Sequence, residues 1–326
     1  MRRRALGLSL LALGAVLLGA ALAVRLFLVP TMVRLPLDQT GSTTVADDNA
    51  TWFDQETLEQ KSGPVEANVV VQGDPTSEDA TDDVAVWVSG TTITDEDGDI
   101  VTPPTEMVTC LDRHTAASVS CDSARLNDEP ADIEGLTVTF PLGTERRDYD
   151  VWNSNAGAAS TARYVGEEEL EGLSVYRFEQ DIPEQVIDQR EVPASLAGGT
   201  ESGNVTADVV FSNDRVLYVE PTSGSIVKVT ENPVTTLRGP DGATGVTVLS
   251  AELAPEDAAV AKKVAEASDT RDQIRLVSAT LPLALLVIGA VLVLIGLFLV
   301  LRAGRRTPDR HEFAARPEPA PVPQAS

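Results

Sequence analysis

Residues 281–301 (LPLALLVIGAVLVLIGLFLVL) run for 21 positions without a charged side chain. As a helix this run is long enough to cross a hydrocarbon core about 30 Å thick. Helices in soluble cores keep one polar face, and this stretch is apolar all round, so it reads as a transmembrane helix. Arg302, Arg305 and Arg306 follow at once. Basic residues flanking a span stay on the cytoplasmic side, which places residues 302–326 inside the cell. Five prolines and no apolar periodicity mark that tail as disordered. Everything before the span then lies outside the membrane, back to any earlier crossing.

An earlier crossing is present. Arg2, Arg3 and Arg4 precede a nearly continuous apolar stretch over residues 5–29, interrupted by Arg25. The stretch has the basic start and the Ala21-Leu22-Ala23 pattern of a signal sequence. It is long for one, and apolar character resumes beyond Arg25, which favours a retained anchor with residues 1–4 in the cytoplasm. Gly7 and Gly14 in the first span, and Gly289 and Gly296 in the second, each stand seven residues apart. That spacing puts small residues on one side of each helix, as close helix packing in a membrane requires.

Charge is distributed to match. The chain holds 25 basic and 50 acidic side chains, and residues 30–278 hold 16 of the first and 47 of the second. So acidic a region repels phosphates, which argues against nucleic acid and anionic lipid headgroups as its ligands. Cys110 and Cys121 are the only cysteines. Outside a reducing cytoplasm, two cysteines with ten residues between them form one local disulfide. A metal site there lacks ligands, since only His114 is near.

From Pro30 the pattern changes to short alternating runs cut by Gly, Pro, Asn and Asp, the mark of β-strands joined by turns. Strands are expected over 84–94, 136–149, 163–165 and 173–180, with an acidic turn over 167–172. A meander follows: 205–211, a turn at 212–214, 215–219, a turn at 221–224, then 225–230, 234–238 and 245–251. In 173–180, Tyr176 and Phe178 share one face while Leu173 and Val175 share the other. The acids of 95–99 (DEDGD) alternate as in a calcium loop, with Glu106 in the twelfth place. Ile100 stands where the loop's glycine belongs, so the segment reads as an Asp-Gly hairpin turn, with calcium as the open alternative. At Pro255-Glu256-Asp257 a proline and two acids mark a helix start. Val260, Val264, Ala267 and Ile274 recur there at helical spacing, and the helix is expected to bend near Pro282. The fold class is therefore a mainly β extracytoplasmic domain of antiparallel sheets (30–254) with a C-terminal helix (255–280), flanked by two transmembrane helices (5–29 and 281–301).

The chemistry of catalysis is poorly represented. His114 is the one histidine of the β region and lies inside the cysteine loop, where it reads as a surface residue. Phosphate loops, dinucleotide fingerprints and paired zinc histidines are missing from the sequence. Trp52, Trp87 and Trp152 read as core residues. No catalytic, cofactor-binding or metal residue is assigned, and the chain is expected not to be an enzyme.

Several stretches together resemble the actinobacterial porin PorA family: PLDQTGSTT at 36–44, TWFD at 51–54, VAVWV at 84–88, CLDRHTA at 110–116, FPLGTERRDYDVWN at 140–153, ARYVGEEELEGLSVYRFEQ at 162–180 and EPTSGSIV at 220–227. The resemblance implies an actinobacterial envelope protein of the plasma membrane with two spans and a large outer domain. It also implies a part in the assembly of lipoglycans (lipomannan and lipoarabinomannan), with lipid-linked glycans or envelope-synthesis enzymes as partners, beside the porin label. The acidic, aromatic-poor β region does not look like a lipid-facing barrel. The expected function is thus a non-enzymatic accessory in lipoglycan assembly. Alternatives are a carrier of lipid or hydrophobic ligand, a porin-like channel, and a glycan-acting enzyme.

Overall fold

A computed structural model describes residues 2–200 and 202–304; the expected disordered tail lies outside the described residues from 305 onward. The described residues divide into a helical unit, 2–28 with 279–304, and a β unit, 29–278.

In the helical unit, α1 (Arg2–Ala23) packs along a second long helix, Leu281–Gly304. The two helices meet at their glycines. A Cβ on Gly14 would fall 2.7 Å from the Gly289 carbonyl oxygen, and one on Gly296 would fall 2.7 Å from that of Gly7. No side chain fits between backbones this close, which is the use the seven-residue spacing was expected to serve. Leu8, Leu13 and Val16 on one helix, and Leu283, Leu294 and Phe298 on the other, remain exposed. Two helices, within Arg4–Met32 and Asp257–Arg302, are long and apolar enough to cross a membrane. A π-helical segment precedes a proline in each: Val24–Leu28 before Pro30, and Leu276–Thr280 before Pro282. Proline offers no N–H and its ring crowds the carbonyl four residues back, here Leu26 and Ser278, both inside the widened turns.

The β unit opens with α2 (Val29–Met32), and its remaining backbone is mostly strand. The first half comprises β1 (Thr40–Asp54), β2 (Glu59–Gly73), β3 (Val84–Asp95), β4 (Ile100–Asp112) and three short pieces, β5 (Ser118–Val119), β6 (Arg125–Leu126) and β7 (Glu129–Pro130). The second comprises β8 (Tyr149–Asn153), β9 (Ala158–Leu170), β10 (Leu173–Pro193), β11 (Asn204–Val219), β12 (Ile226–Arg238) and β13 (Thr244–Ser250). All named pairings are antiparallel, in the order β7-β6-β4-β3-β2-β1-β13-β12-β11-β10-β9-β8, with β5 also on β4. Helix α3 (Asp257–Arg275) follows, and the long helix Leu281–Gly304 is α4.

The sheet closes on itself. The Ser118 N–H donates to the Gly135 carbonyl at 2.8 Å, and Leu136 forms a parallel bridge with Val151 of β8. Backbone bonds therefore run from β4 through β5 and Gly135-Leu136 to β8, joining the two halves of the sheet at this point, while β7 and the outer side of residues 163–170 carry no further strand among the described residues. Gly135 has φ +74°, and a Cβ there would lie 2.5 Å from the Asp150 carbonyl oxygen.

One face of the sheet is the inside of this barrel. Trp87, Leu111, Phe140, Tyr149, Phe178 and Leu217 are buried together there. Phe140 lies 5.4 Å from Tyr149 and 4.8 Å from Phe178 between ring centroids. A second apolar layer holds Trp52, Val65, Leu249 and Leu253. On the other face, Leu173 and Val175 pack with Val227 against Val260, Val264 and Ala267 of α3. Tyr176 and Phe178 do face opposite to Leu173 and Val175, as the alternation requires, and Trp52, Trp87 and Trp152 are all buried. Ile274 lies beyond the buried stripe of α3.

Three sequence expectations are corrected. Residues 212–214 are not a turn but the middle of β11, where Asn213 is buried opposite Ile182 and Pro233. There the Asn213 side-chain N–H donates to Glu231 at 3.2 Å, while its Oδ1 is buried without a partner among the described residues. The acidic turn over 167–172 shrinks to Glu171-Gly172, both with positive φ, and residues 167–170 pair with β10. A two-residue loop of that kind matches the twist of the strands it joins. The stretch 136–149 is largely irregular, because Phe140 turns into the core and its backbone bonds to the Gly224 carbonyl.

Two measurements test the fold. Gly135→Ala should destabilise the β unit by several kcal/mol in urea unfolding, through strain and a backbone clash. Gly143→Ala, at φ +77° with open space around it, should lose only about 1 kcal/mol. Gly14→Leu should weaken the α1–α4 contact and lower the detergent-solubilised protein's helical melting temperature.

Candidate functional site

The chain leaving the first membrane helix is stitched into the end of the barrel. Leu35 is buried in the main core, and its N–H donates to the Arg113 carbonyl at 2.8 Å. In return Arg113 Nε donates to the Leu35 carbonyl at 2.6 Å, and Trp87 Nε1 donates to that of Pro36 at 3.0 Å. Arg113 stands just after β4, and its turn is held by Asp112, whose carboxylate accepts the N–H groups of His114 and Thr115. Burial pushes the Asp112 pKa up, but those bonds outweigh it and hold the carboxyl below its ordinary value.

Here two arginines converge. Arg113 Nη1 and Arg34 Nη1 donate to the same acceptor, the Asp82 carbonyl, at 2.9 and 2.7 Å. Arg113 is only 6% exposed, and among the described residues no carboxylate lies within 4.0 Å of it. Burial and the neighbouring Arg34 charge pull its pKa below the ordinary arginine value. Arg34 has one carboxylate contact, Asp82 at 3.7 Å, and the Asp82 side chain is 93% exposed. The guanidiniums face an open groove of about 610 Å³ whose walls include Met32, Pro36, Leu37 and Pro75, with Asp38 also on the rim. Neither arginine was singled out from the sequence. The available signal was charge context: Arg34 stands five residues after the first apolar stretch (5–29), at the start of a region rich in acids.

The residues named from the sequence fall elsewhere. Cys110 and Cys121 are joined in a disulfide that covers Val86 and Val108 on the outer face of β3 and β4. Asp79 lies with the two sulfurs in a group of potential metal ligands within 4.8 Å, but disulfide sulfur offers no thiolate. Its carboxylate instead accepts the hydroxyl and N–H of Ser123 at 2.6 and 2.9 Å, which lowers its pKa. In the 95–99 turn, Asp95 Oδ1 accepts the N–H groups of Asp97 and Asp99, the bonding of a hairpin loop. His114 is exposed, with Nε2 3.9 Å from Asp83.

Inside the barrel, a polar ladder crosses β10, β11 and β12. Gln180 donates to the Val151 carbonyl at 2.6 Å and accepts from Arg215 at 2.9 Å, and Arg215 donates to Glu231 at 2.9 Å. Together with the aromatic layer, this fills the interior with paired side chains. A second groove, of about 440 Å³, lies between β1, β2 and α3 and presents Lys262, Lys263 and Glu266.

A side-chain-filled β-barrel with two helices able to span a membrane defines an anchored membrane protein. The Porin PorA family profile matches residues 6–298, and the chain belongs to that family. It is 25% identical over 297 residues to a Porin PorA of Corynebacterium amycolatum, covering 70% of this chain and 77% of that protein. A Porin PorA of Corynebacterium resistens is 48% identical over 48 residues, which is 15% of this chain and 12% of that one.

Replacing both cysteines, Cys110→Ser with Cys121→Ser, should cost about 2–3 kcal/mol in urea unfolding. Because the folded pKa of Asp79 is depressed, its bond to Ser123 contributes fully above the unfolded value near 3.9 and is lost as pH falls through the folded value. Stability should therefore hold from pH 8 to 5 and fall below pH 4, less steeply in Asp79→Asn.

Proposed function

We propose that this protein sits in the plasma membrane by two spans with cytoplasmic ends, and holds its barrel on the outer face as a non-enzymatic accessory in lipoglycan (lipomannan and lipoarabinomannan) assembly. Its partners there are lipid-linked glycans or the enzymes that extend them. The observation that carries a binding role over a conduit through the barrel is the barrel's interior. Phe140, Tyr149 and Phe178 pack ring against ring and Gln180, Arg215 and Glu231 bond across it, where a water-filled passage needs a solvated lumen. The lipoglycan assignment itself rests on the resemblance to the PorA family.

A porin-like channel is the second reading. The family name shared with the two Corynebacterium relatives supports it. The exposed apolar residues of α1 and α4 would let several copies associate in the membrane, so the conduit would be built from helices rather than from the barrel.

A deletion strain and its complemented parent separate the two. The accessory role predicts truncated or missing lipoglycans with unchanged entry of small hydrophilic solutes. Slowed solute entry with normal lipoglycans would retire that role and establish the channel.

A further inference from the structure

We infer that the groove beside Arg34 and Arg113 is a binding site for the phosphate group of an amphiphile, with the guanidiniums taking the phosphate oxygens and the apolar walls taking the start of the chain. The inference deepens the function proposed above and rests on it for its membrane setting.

Three observations converge on it. First, Arg113 is a buried cation without a carboxylate partner, in a chain where acids outnumber bases two to one. Buried guanidiniums are ordinarily paired with carboxylate, because desolvation otherwise goes uncompensated. Here carbonyl oxygens orient the group, and the carboxylates of Asp82 and Asp83 act on its charge only from beyond contact distance. Second, Arg34 is brought to the same carbonyl, so two like charges are held together by the fold rather than by attraction. Planar donor forks placed in this way match the oxygens of a phosphate ester, which can bridge both. Third, Met32, Pro36, Leu37 and Pro75 give the groove an apolar wall, and Arg34 follows the first membrane helix by two residues. A ligand with a phosphate head and a hydrocarbon chain satisfies both parts.

The carboxylates nearby set limits. Asp82 is the weak partner that such a phosphate would displace, and its exposed side chain is free to turn to solvent. Asp38 on the rim and Asp83 beside His114 disfavour ligands carrying several negative charges. A singly esterified or bridged phosphate fits better than a polyphosphate.

The test uses the full chain in a neutral detergent, with radiolabelled farnesyl phosphate as probe and farnesol and inorganic phosphate as competitors. Farnesyl phosphate should bind, farnesol should not displace it, and inorganic phosphate should displace it only at far higher concentration. Arg34→Gln should weaken binding about tenfold or more, and urea unfolding of the same variant separates loss of the charge from loss of the fold, since the Arg34 side chain is largely buried and bonds to the Asp82 carbonyl. Arg113→Gln should weaken it further, and Lys262→Gln in the second groove should not change it. Undiminished binding in Arg34→Gln overturns the site. Inorganic phosphate competing as well as farnesyl phosphate overturns the amphiphile and leaves a simple anion site. Loss of binding in Arg34→Gln together with normal lipoglycans in the corresponding strain would uphold the site and refute the lipoglycan role instead.

Discussion

The closure of the sheet at Gly135-Leu136 is the constraint on which the β unit depends. A twisted sheet of this many strands either curls shut or leaves two rows of unpaired backbone groups in water. The short link between β5 and β8 pairs part of those rows, and it needs a residue with positive φ and no Cβ at its tightest point. Once the ring is closed, alternate side chains of β3, β4, β8, β9, β10 and β11 have nowhere to go but inward. The core of aromatic and branched side chains follows from the closure.

Closure also decides what the barrel can do. An interior filled by packed rings and a bonded Gln-Arg-Glu ladder holds the barrel's shape, and the two grooves described lie on its outside and at its end. One end is plugged by the segment that leaves the first span, with Leu35 in the core and Pro36 bonded to Trp87. Those same bonds hold Arg113 in place. The basic pair is therefore a product of how the barrel is capped, in a chain with twice as many acids as bases.

In the helical unit a different solvent sets the rules. Between lipid chains there is no hydrophobic gain in bringing helices together, so contact depends on backbone approach, and glycine is the residue that allows it. The prolines beside the π-helical segments mark where the chain passes between the two units, at points where a regular helix would have clashed with the ring.

Much of this was legible in the sequence, because it depends on local rules. Continuous apolarity over 281–301 defines a span whatever else the chain does. Period-two alternation sorted Leu173 and Val175 from Tyr176 and Phe178, glycine spacing was compatible with the helix contact without requiring it, and two nearby cysteines in an otherwise cysteine-free chain predicted their own bond. Tertiary structure decided what depends on partners distant in the chain. Asn213 lies in a strand rather than a turn because β10 and β12 pair with β11 on either side of it. Residues 136–149 are irregular because Phe140 is drawn into a core built by residues far along the chain. Arg34 and Arg113 are separated by 78 residues, and no periodicity connects them. Only the closed sheet, which brings the segment after the first span against the end of β4, puts their charges side by side.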